Sequence, residues 1–441
     1  MEMKTFRGGI HPSHSKSLTE KKAIEKAEEP KTVVISLQQH IGAGCNHLVN
    51  AGDAVKVGQK IGDSDAFVSA PVHSSVSGTV KEIKDMLTPT GQMRCIVIES
   101  DGLNELHESV QPKPDIQLLE KEDILKGIRE AGIVGMGGAA FPTHVKLSPP
   151  PDKKIDTLIL NGAECEPYLT ADHRLLLERS DCILYGVYLL KKALSIETVF
   201  IGIEDNKPDA IKTMNELLKN EKGISVVPLK AKYPQGAEKQ LIYACTNRTV
   251  PSGKLPMEVG VVVSNVGTVA AIGEAFKTGM PLIKRIVTVT GGGITEPKNL
   301  EVKIGTLFKD VIDQCGGYKG NLGKLIMGGP MMGLAQYSDE IPCIKGTSGI
   351  LVFTEEEAKI PESKNCIRCG RCVGACPINL MPLFINAYYE KNMIKNAEEM
   401  HALDCIECGS CSFVCPSKRH LVESIRASKL EINAIKKKNQ K

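Results

Sequence analysis

Residues 366–377 read CIRCGRCVGACP, and residues 405–416 repeat the pattern as CIECGSCSFVCP. The two stretches agree at seven of twelve positions, and each spaces its cysteines as C-x2-C-x2-C-x3-C-P. Both stretches lie in a region, 362–425, whose remaining sequence is typical of helices. An internal repeat built on cysteine spacing therefore decides the fold of the C-terminal part of the chain.

This spacing is the one by which ferredoxins hold cubane clusters, with three cysteines on one cluster and the fourth on the other. It predicts two 4Fe–4S clusters, and we expect the fourth cysteine of each run at the start of the following helix. The predicted ligand sets are Cys366, Cys369, Cys372 and Cys415 for one cluster, and Cys405, Cys408, Cys411 and Cys376 for the other. Zinc is the alternative, but zinc sites usually show paired C-x2-C units without a third cysteine or a Cys-Pro.

The composition of the chain also favours redox chemistry. Its 441 residues predict about three domains, and 15 of them are cysteines. We find no secretory signal and no apolar stretch long enough to span a membrane, which predicts a cytoplasmic location where cysteines serve metals or redox chemistry. A net charge of +3 and the absence of tryptophan argue against a nucleic-acid binder.

Upstream of the cysteine repeat, the sequence changes character several times. From residue 120 to 285, β-type runs such as Thr157–Leu160 alternate with helical runs, including one long amphipathic helix at Leu175–Leu194. This alternation predicts an α/β layer structure with a largely parallel sheet. The predicted units are an N-terminal arm that covers other domains or is partly disordered (1–30), an all-β domain (31–110), the α/β domain (120–285), a small α+β unit (286–352), the cysteine domain (353–428) and a basic, solvated and flexible tail (429–441).

A glycine-rich loop follows the first predicted helix of the α/β domain. Residues 135–142 read GMGGAAFP and precede Lys146. Successive glycine N–H groups can form a concave nest for phosphate oxygens, to which Lys146 would add a positive charge. A tight loop that is packed for steric reasons explains the run equally well.

An acidic loop follows the strand at 157–160. Residues 161–167 read NGAECEP, and ligands of α/β sheets bind at the carboxyl ends of the strands. Glu164 and Glu166 are suited to accept hydrogen bonds from ribose or ring N–H groups, although solvated loop acids are the alternative. A nicotinamide would deliver two electrons as hydride, whereas the clusters move single electrons. A flavin is therefore the predicted link between the two halves.

Several motifs together resemble known electron-transfer proteins. GMGGAAFPTHVKL (135–147), NGAECEP (161–167), YPQGAEKQL (233–241) and VSNVGT (263–268) resemble the FMN- and NADH-binding subunit of respiratory complex I. The RGGIHP opening (7–12) and the paired cysteine motifs extend the resemblance, over nearly the whole chain, to the C subunits of Rnf electron transport complexes. In those positions Met136, Ala163, Ala237 and Gly267 depart from the complex I pattern, and two clusters in place of one favour the Rnf family.

The resemblance implies roles for individual residues. Gly135, Gly137, Gly138 and Lys146 would hold the FMN phosphate, Asn161 and Glu164 would lie along the flavin, and Asn265 and Thr268 would complete its pocket. Phe141 would stack on NADH, the catalytic Glu166 would lie near the nicotinamide, and Tyr233 and Glu238 would lie near the nucleotide.

The resemblance also implies an architecture and a function. The fold would be a multidomain α/β protein with a lipoyl-like β-sandwich, a Rossmann-like FMN/NADH domain, a β-grasp domain and a helical di-cluster ferredoxin domain. The β-sandwich has no lysine at its hairpin tip, Val72-His73-Ser74-Ser75, which predicts a structural or docking role rather than a covalent cofactor. The chain would be the NADH-oxidising electron-input subunit of an ion-translocating NADH:ferredoxin oxidoreductase, peripheral on the cytoplasmic face of the membrane.

Its implied partners are an iron–sulfur subunit of that complex, NADH and, indirectly, ferredoxin, with no nucleic acid. Two alternatives stay open at this stage. One is a flavin and iron–sulfur cobalamin reductase, whose relatives share the flavin and cluster domains. The other is a non-catalytic relay subunit that holds clusters without binding a nucleotide. The basic tail would contact lipid only if its lysines act as a surface anchor, and a solvated end is the more common role.

Overall fold

The computed structural model describes residues 3–439. The N-terminal arm contributes one strand, β1 (Ile24–Lys26), and the all-β domain follows as two small antiparallel sheets, β2-β8-β7-β4 and β3-β5-β6. Aliphatic side chains from both sheets, such as Val33, Ile61 and Ile96, share one buried core. The strands are β2 (Thr32–Ser36), β3 (Asn46–His47), β4 (Ala54–Val55), β5 (Lys60–Asp63), β6 (Val72–His73), β7 (Gly78–Thr88) and β8 (Gly91–Ser100).

The central domain is built on four parallel strands in the order β11-β10-β9-β12. Helices connect the strands, which is the alternation that the sequence predicts. The elements are α1 (Lys121–Glu130), α2 (Thr143–Lys146), β9 (Thr157–Gly162), α3 (Ala171–Glu178), α4 (Ser180–Leu194), β10 (Thr198–Glu204), α5 (Pro208–Leu217), β11 (Ile224–Leu229), α6 (Glu238–Thr246), β12 (Val261–Asn265) and α7 (Val266–Thr278).

One prediction for this domain is wrong, because Leu175–Leu194 is not a single helix. The helix breaks at Arg179, whose φ of −133° lies outside the helical range and separates α3 from α4. The break leaves α4 free to lie directly against α7. There the two backbones touch, since a Cβ on Gly186 would lie 2.2 Å from the Val269 carbonyl oxygen and one on Gly273 would lie 2.0 Å from that of Cys182. Glycine at both positions allows this close contact.

The next unit is a six-stranded mixed sheet in the order β1-β14-β13-β17-β15-β16. The arm is part of it, because β1 pairs in parallel with β14 and places Ile24 opposite Asn299. One helix packs on the sheet through the buried Phe308 and Val311. The elements are β13 (Lys284–Thr290), β14 (Lys298–Lys303), α8 (Phe308–Asp313), β15 (Leu322–Met327), β16 (Leu334–Gln336) and β17 (Gly349–Thr354).

The cysteine domain is helical, as predicted, but two details differ. The fourth cysteine of each run does not begin a helix, because Cys376 and Cys415 come just after the short helices that carry Cys372 and Cys411. The expected flexible tail is also wrong over residues 429–439, which continue the last helix with Ile432 buried; residues 440 and 441 lie outside the described residues. The helices are α9 (Arg371–Ala375), α10 (Pro382–Glu390), α11 (Ile394–Glu399), α12 (Ser410–Phe413) and α13 (Leu421–Asn439).

The hairpin tip of the all-β domain lies in the junction between domains. Ser74 and Ser75 are fully buried, and the Ser75 hydroxyl donates to the Ile304 carbonyl at 2.6 Å. Lys345, from the mixed sheet, donates to the carbonyls of Pro71 at the tip and Gly132 in the central domain. In residues 3–439, none of the helices combines the length and the apolar character needed to cross a membrane.

Candidate functional site

The site lies where the order of the parallel strands reverses. From β9 the chain proceeds to β10 and β11 on one side, and it returns on the other side of β9 as β12. Open α/β sheets bind ligands beyond the carboxyl ends of the strands at such a point. Asn161 at the end of β9 and Asn265 at the end of β12 are paired in register. Residues from two separate motifs are therefore neighbours at the position where a ligand is expected.

The glycine loop, residues 135–142, packs against the end of β12. The hydroxyl of Thr268 accepts a hydrogen bond from the Met136 N–H at 2.9 Å. A Cβ on Gly137 would lie 3.0 Å from the Cβ of Asn265, so glycine allows this close approach. The predicted flavin residues of the loop and of the VSNVGT motif are thus in direct contact.

The loop leaves part of its backbone open. The Gly135 N–H closes the loop by donating to the Phe141 carbonyl at 2.8 Å. A Cβ on Gly138 would meet nothing within 4 Å, so a ligand can approach this stretch of backbone. The Lys146 ammonium, at the end of α2, lies 2.7 Å from the Glu238 carboxylate, and both side chains are partly exposed. A cation and an open glycine backbone each suit an anionic group such as a phosphate.

The first carboxylate of the acidic loop faces the protein. Glu164 accepts hydrogen bonds from the backbone N–H groups of Asp172 and His173 and so caps helix α3. Asp172 in turn accepts from the Asn265 side-chain amide at 2.6 Å. Burial, reinforced by the neighbouring Glu164, raises the pKa of Asp172 to about 7. These contacts join the acidic loop to the end of β12, a connection that the sequence motifs alone do not indicate.

The second carboxylate, Glu166, is held by another domain. Its two oxygens accept from the backbone N–H groups of Met331 and Met332 at 3.0 and 2.9 Å. Burial raises its pKa, and those two N–H groups oppose the rise. Beside it, the buried Tyr233 donates its hydroxyl proton to the Cys408 carbonyl at 2.9 Å. Glu166 and Tyr233 therefore connect the acidic loop to residues 331–332 and to the second cysteine run.

Two further features of the site are not predicted by the sequence. The turn at 328–333, GGPMMG, supplies the N–H groups for Glu166, and only its glycine content marked it as unusual. The N-terminal arm supplies Lys16, whose ammonium donates to carbonyls of the acidic loop. No local pattern points to either contact, because both depend on segments far apart in the chain.

The cysteines are gathered into two sets, and each set combines both runs. One cavity is lined by Cys366, Cys369, Cys372 and Cys415. A second cavity is lined by Cys376, Cys405, Cys408 and Cys411. These are the crossed ligand sets that the ferredoxin spacing predicts.

The loops that carry these cysteines fit iron–sulfur clusters. In the first run Arg368 and Gly370 have φ values of 56° and 74°, and in the second run Glu407 and Gly409 have 58° and 76°. The repeated left-handed residues curl each loop around its cavity. The N–H groups of Arg368 and Glu407 also point at cysteine sulfurs at 3.4 Å, and such bonds stabilise thiolates and tune cluster potentials.

Models of known families match successive parts of the chain. The RnfC barrel sandwich hybrid domain matches residues 4–103, and the Nuo51 FMN-binding domain matches residues 128–274. An SLBB domain matches residues 286–335, and a 4Fe-4S dicluster domain matches residues 358–416. These matches confirm the predicted fold class, from the β-sandwich through the FMN domain to the di-cluster domain.

Curated relatives match over almost the full length. The C subunit of the Na(+)-translocating ferredoxin:NAD(+) oxidoreductase complex of Acetobacterium woodii is 51% identical, over 98% of this chain and 98% of its own length. The C subunit of the proton-translocating ferredoxin:NAD(+) oxidoreductase complex of Clostridium ljungdahlii is 53% identical, over 98% and 95%. Among solved structures, a chain of an NAD+-reducing NiFe-hydrogenase in the air-oxidized state shares the fold, with a TM-score of 0.51, 18% identity and coverage of 72% of this chain and 64% of its own.

Proposed function

The chain belongs to the family of C subunits of ion-translocating ferredoxin:NAD(+) oxidoreductase complexes, and from this membership we propose how its residues carry electrons from NADH. It is the NADH-oxidising electron-input subunit of such a complex, with FMN and two 4Fe–4S clusters as its cofactors. This assignment agrees with the function and cofactors predicted from the sequence. Bound FMN exchanges the electron pair of a hydride for the single electrons that iron–sulfur clusters carry.

The glycine loop and Lys146 would hold the FMN phosphate. The open backbone at Gly138 would admit phosphate oxygens, and Lys146 would then bind the phosphate in place of Glu238 through a charge-assisted bond. Asn161, Glu164 and Asn265, at the carboxyl ends of β9 and β12, would hold the flavin. Since Glu164 already caps α3, its carboxylate orients the loop as well as lining the pocket.

Glu166 lies on the nicotinamide side and is the catalytic residue of this proposal. Its buried carboxylate keeps lone pairs for a ligand N–H beyond those used by the turn at 328–333. Phe141, near the end of the glycine loop, would stack its ring on NADH.

One observation supports this function above all others. Tyr233, next to Glu166, donates its hydroxyl proton to the backbone of Cys408, a residue of the second cysteine set. The nucleotide site and that cysteine set are therefore in direct contact through one buried side chain. The set that contains Cys408 is the nearer one to the nucleotide, and the set that contains the exposed Cys366 and Cys369 faces outward, towards an iron–sulfur partner.

The chain acts as a peripheral subunit of a membrane complex, on its cytoplasmic face. Membership of the family supports the association with a membrane complex. NADH and reduced ferredoxin are cytoplasmic carriers, and this supports the side of the membrane. Ion movement belongs to other subunits of the complex.

An anaerobic NADH titration of the cluster-loaded chain with added FMN tests the proposal. We expect bleaching of flavin absorbance together with electron paramagnetic resonance (EPR) signals of reduced clusters. Clusters that reduce with dithionite but never with NADH, in a chain that binds no flavin, would identify a relay subunit instead. The variant Glu166→Gln should slow the NADH-dependent bleaching and leave the dithionite reaction unchanged.

A further inference from the structure

The N-terminal arm places one lysine under the acidic loop. Lys16 is only 5% exposed, and its ammonium donates to the backbone carbonyls of Glu164 and Glu166, both at 2.9 Å, and to that of Leu169. A lysine ammonium has three donor hydrogens, so all of them are used by one loop. The three carbonyls converge on a single nitrogen from separate positions in that loop.

The charge of Lys16 is stabilised by this loop. Among residues 3–439 Lys16 makes no direct ion pair with a carboxylate; burial lowers its pKa, and the charges of Glu164 and Glu204 oppose that shift. A buried cation with no carboxylate in contact persists only when hydrogen bonds replace its hydration. Lys207 provides a contrast, because its ammonium donates to the Ala163 carbonyl but also has Glu204 at 3.4 Å. The shape of the acidic loop and the burial of Lys16 therefore depend on each other.

The loop adopts a conformation that it would not keep alone. Glu164 and Tyr168 have φ values of 47° and 69°, in the left-handed region that side chains other than glycine disfavour. Such residues persist when their surroundings fix them. The arm provides this support, since the Tyr168 N–H donates to the His14 carbonyl at 2.9 Å and the hydroxyls of Thr19 and Thr170 lie 2.8 Å apart.

We propose that Lys16 is a positioning residue for NADH oxidation. By binding three carbonyls it fixes the backbone of residues 163–170 and so aims the carboxylates of Glu164 and Glu166. The inference rests on the proposed function, because it assigns Lys16 a role in the same site. Among the described residues the arm makes no hydrogen bond or ion pair with Gly138 or Lys146, so we expect it to control the rate of hydride transfer but not the binding of FMN.

Lys16→Met, in the chain loaded with FMN and clusters, tests this role. Lys22→Met is the matched control, because Lys22 lies on the same arm and donates to one carbonyl, that of Pro297, at an exposed position. In Lys16→Met we expect amide hydrogens of residues 163–170 to exchange about tenfold faster. We expect kcat and kcat/KM for NADH to fall together by about tenfold or more, because small misplacements of a reacting group reduce the rate steeply. The Kd for FMN should stay within about twofold, since the phosphate contacts are intact.

Several results would overturn the inference. They are unchanged exchange in residues 163–170, an unchanged kcat, or an equal effect of Lys22→Met. If Lys16→Met does not fold, Lys16→Arg is tested in its place. A planar guanidinium keeps the charge but cannot direct three donors at three converging carbonyls. The amide exchange and kcat should therefore change in the same direction as in Lys16→Met, by a smaller factor. Failure of the wild-type chain to accept electrons from NADH would refute the proposed function itself, whereas a normal wild type with an unaffected variant would refute the role of Lys16 alone.

Discussion

Substitution of paired cysteines distinguishes crossed from uncrossed ligand sets. Cys366 and Cys415 line the same cavity although they belong to different runs, so the double variant Cys366→Ser/Cys415→Ser damages one cluster only. Iron content should fall from about eight to about four atoms per chain, since each cubane holds about four. In Cys366→Ser/Cys376→Ser the two changes fall in different cavities, although both residues belong to the first run. This second variant should lose nearly all of its iron.

The assay is iron and acid-labile sulfide analysis after anaerobic reconstitution, with EPR spectra of the dithionite-reduced chain. The second cluster should keep its signal in Cys366→Ser/Cys415→Ser, because all four cysteines of its cavity remain. The single variants Cys366→Ser and Cys415→Ser should each match the double variant. If each run held its own cluster, the order of the two double variants would reverse. About four iron atoms in Cys366→Ser/Cys376→Ser and none in Cys366→Ser/Cys415→Ser would refute the crossed arrangement.

Further predictions concern the loops and the domain junction. Gly138→Ala should leave the melting temperature unchanged but weaken FMN binding in a fluorescence titration. Gly137→Ala, whose methyl would crowd Asn265, should lower both the melting temperature and the affinity for FMN. Lys146→Ala should raise the Kd for FMN about tenfold, because a charge-assisted bond to the phosphate contributes roughly 1–2 kcal/mol. Burial lowers the pKa of Lys345 to about 7 in the folded chain, against 10.5 as its ordinary value, so between these values the unfolded state binds more protons and stability rises with pH. Lys345→Met should flatten that rise in thermal unfolding measured between pH 7 and 9, and an unchanged slope would contradict it.

Local signals in the sequence were sufficient for most of the architecture. The strand at Ile224–Leu229 lies where its β-branched residues predict, and the cysteine spacing alone indicates the two crossed sets that line the cavities. These features depend on neighbours within a few residues, which is the range over which periodicity and loop chemistry act. The break at Arg179 was not predicted, because the apolar residues on both sides of it read as one continuous helix.

The sequence predicts which residues make up the candidate site, but not the contacts that hold them in place. The glycine loop, Asn161 and Asn265 carry recognisable motifs, and the parallel sheet brings them together without further information. The contacts of Glu166 could not be predicted, because its partners at 331–332 come from another domain and act through backbone N–H groups, which any residue can supply. A residue that takes part through its backbone can have any side chain. The sequence therefore does not indicate that the arm and the turn at 328–333 contact the site.

The all-β domain has a carrier-like fold, but its hairpin tip is held in place between other domains. A hairpin that carries a covalent cofactor needs an exposed and mobile tip, yet here Ser74 and Ser75 are fully buried and Lys345 ties the tip to the central domain. If these hydrogen bonds were broken, the Pro71 and Gly132 carbonyls would be left unpaired in a buried setting, which costs about 1–3 kcal/mol for each group. Lys16 and Lys345 thus act alike, since each uses one buried amino group to bind carbonyls of segments that are distant in sequence. Groups that exchange electrons in a fixed order need constant separations, and buried lysines that join domains provide them where a swinging arm would not.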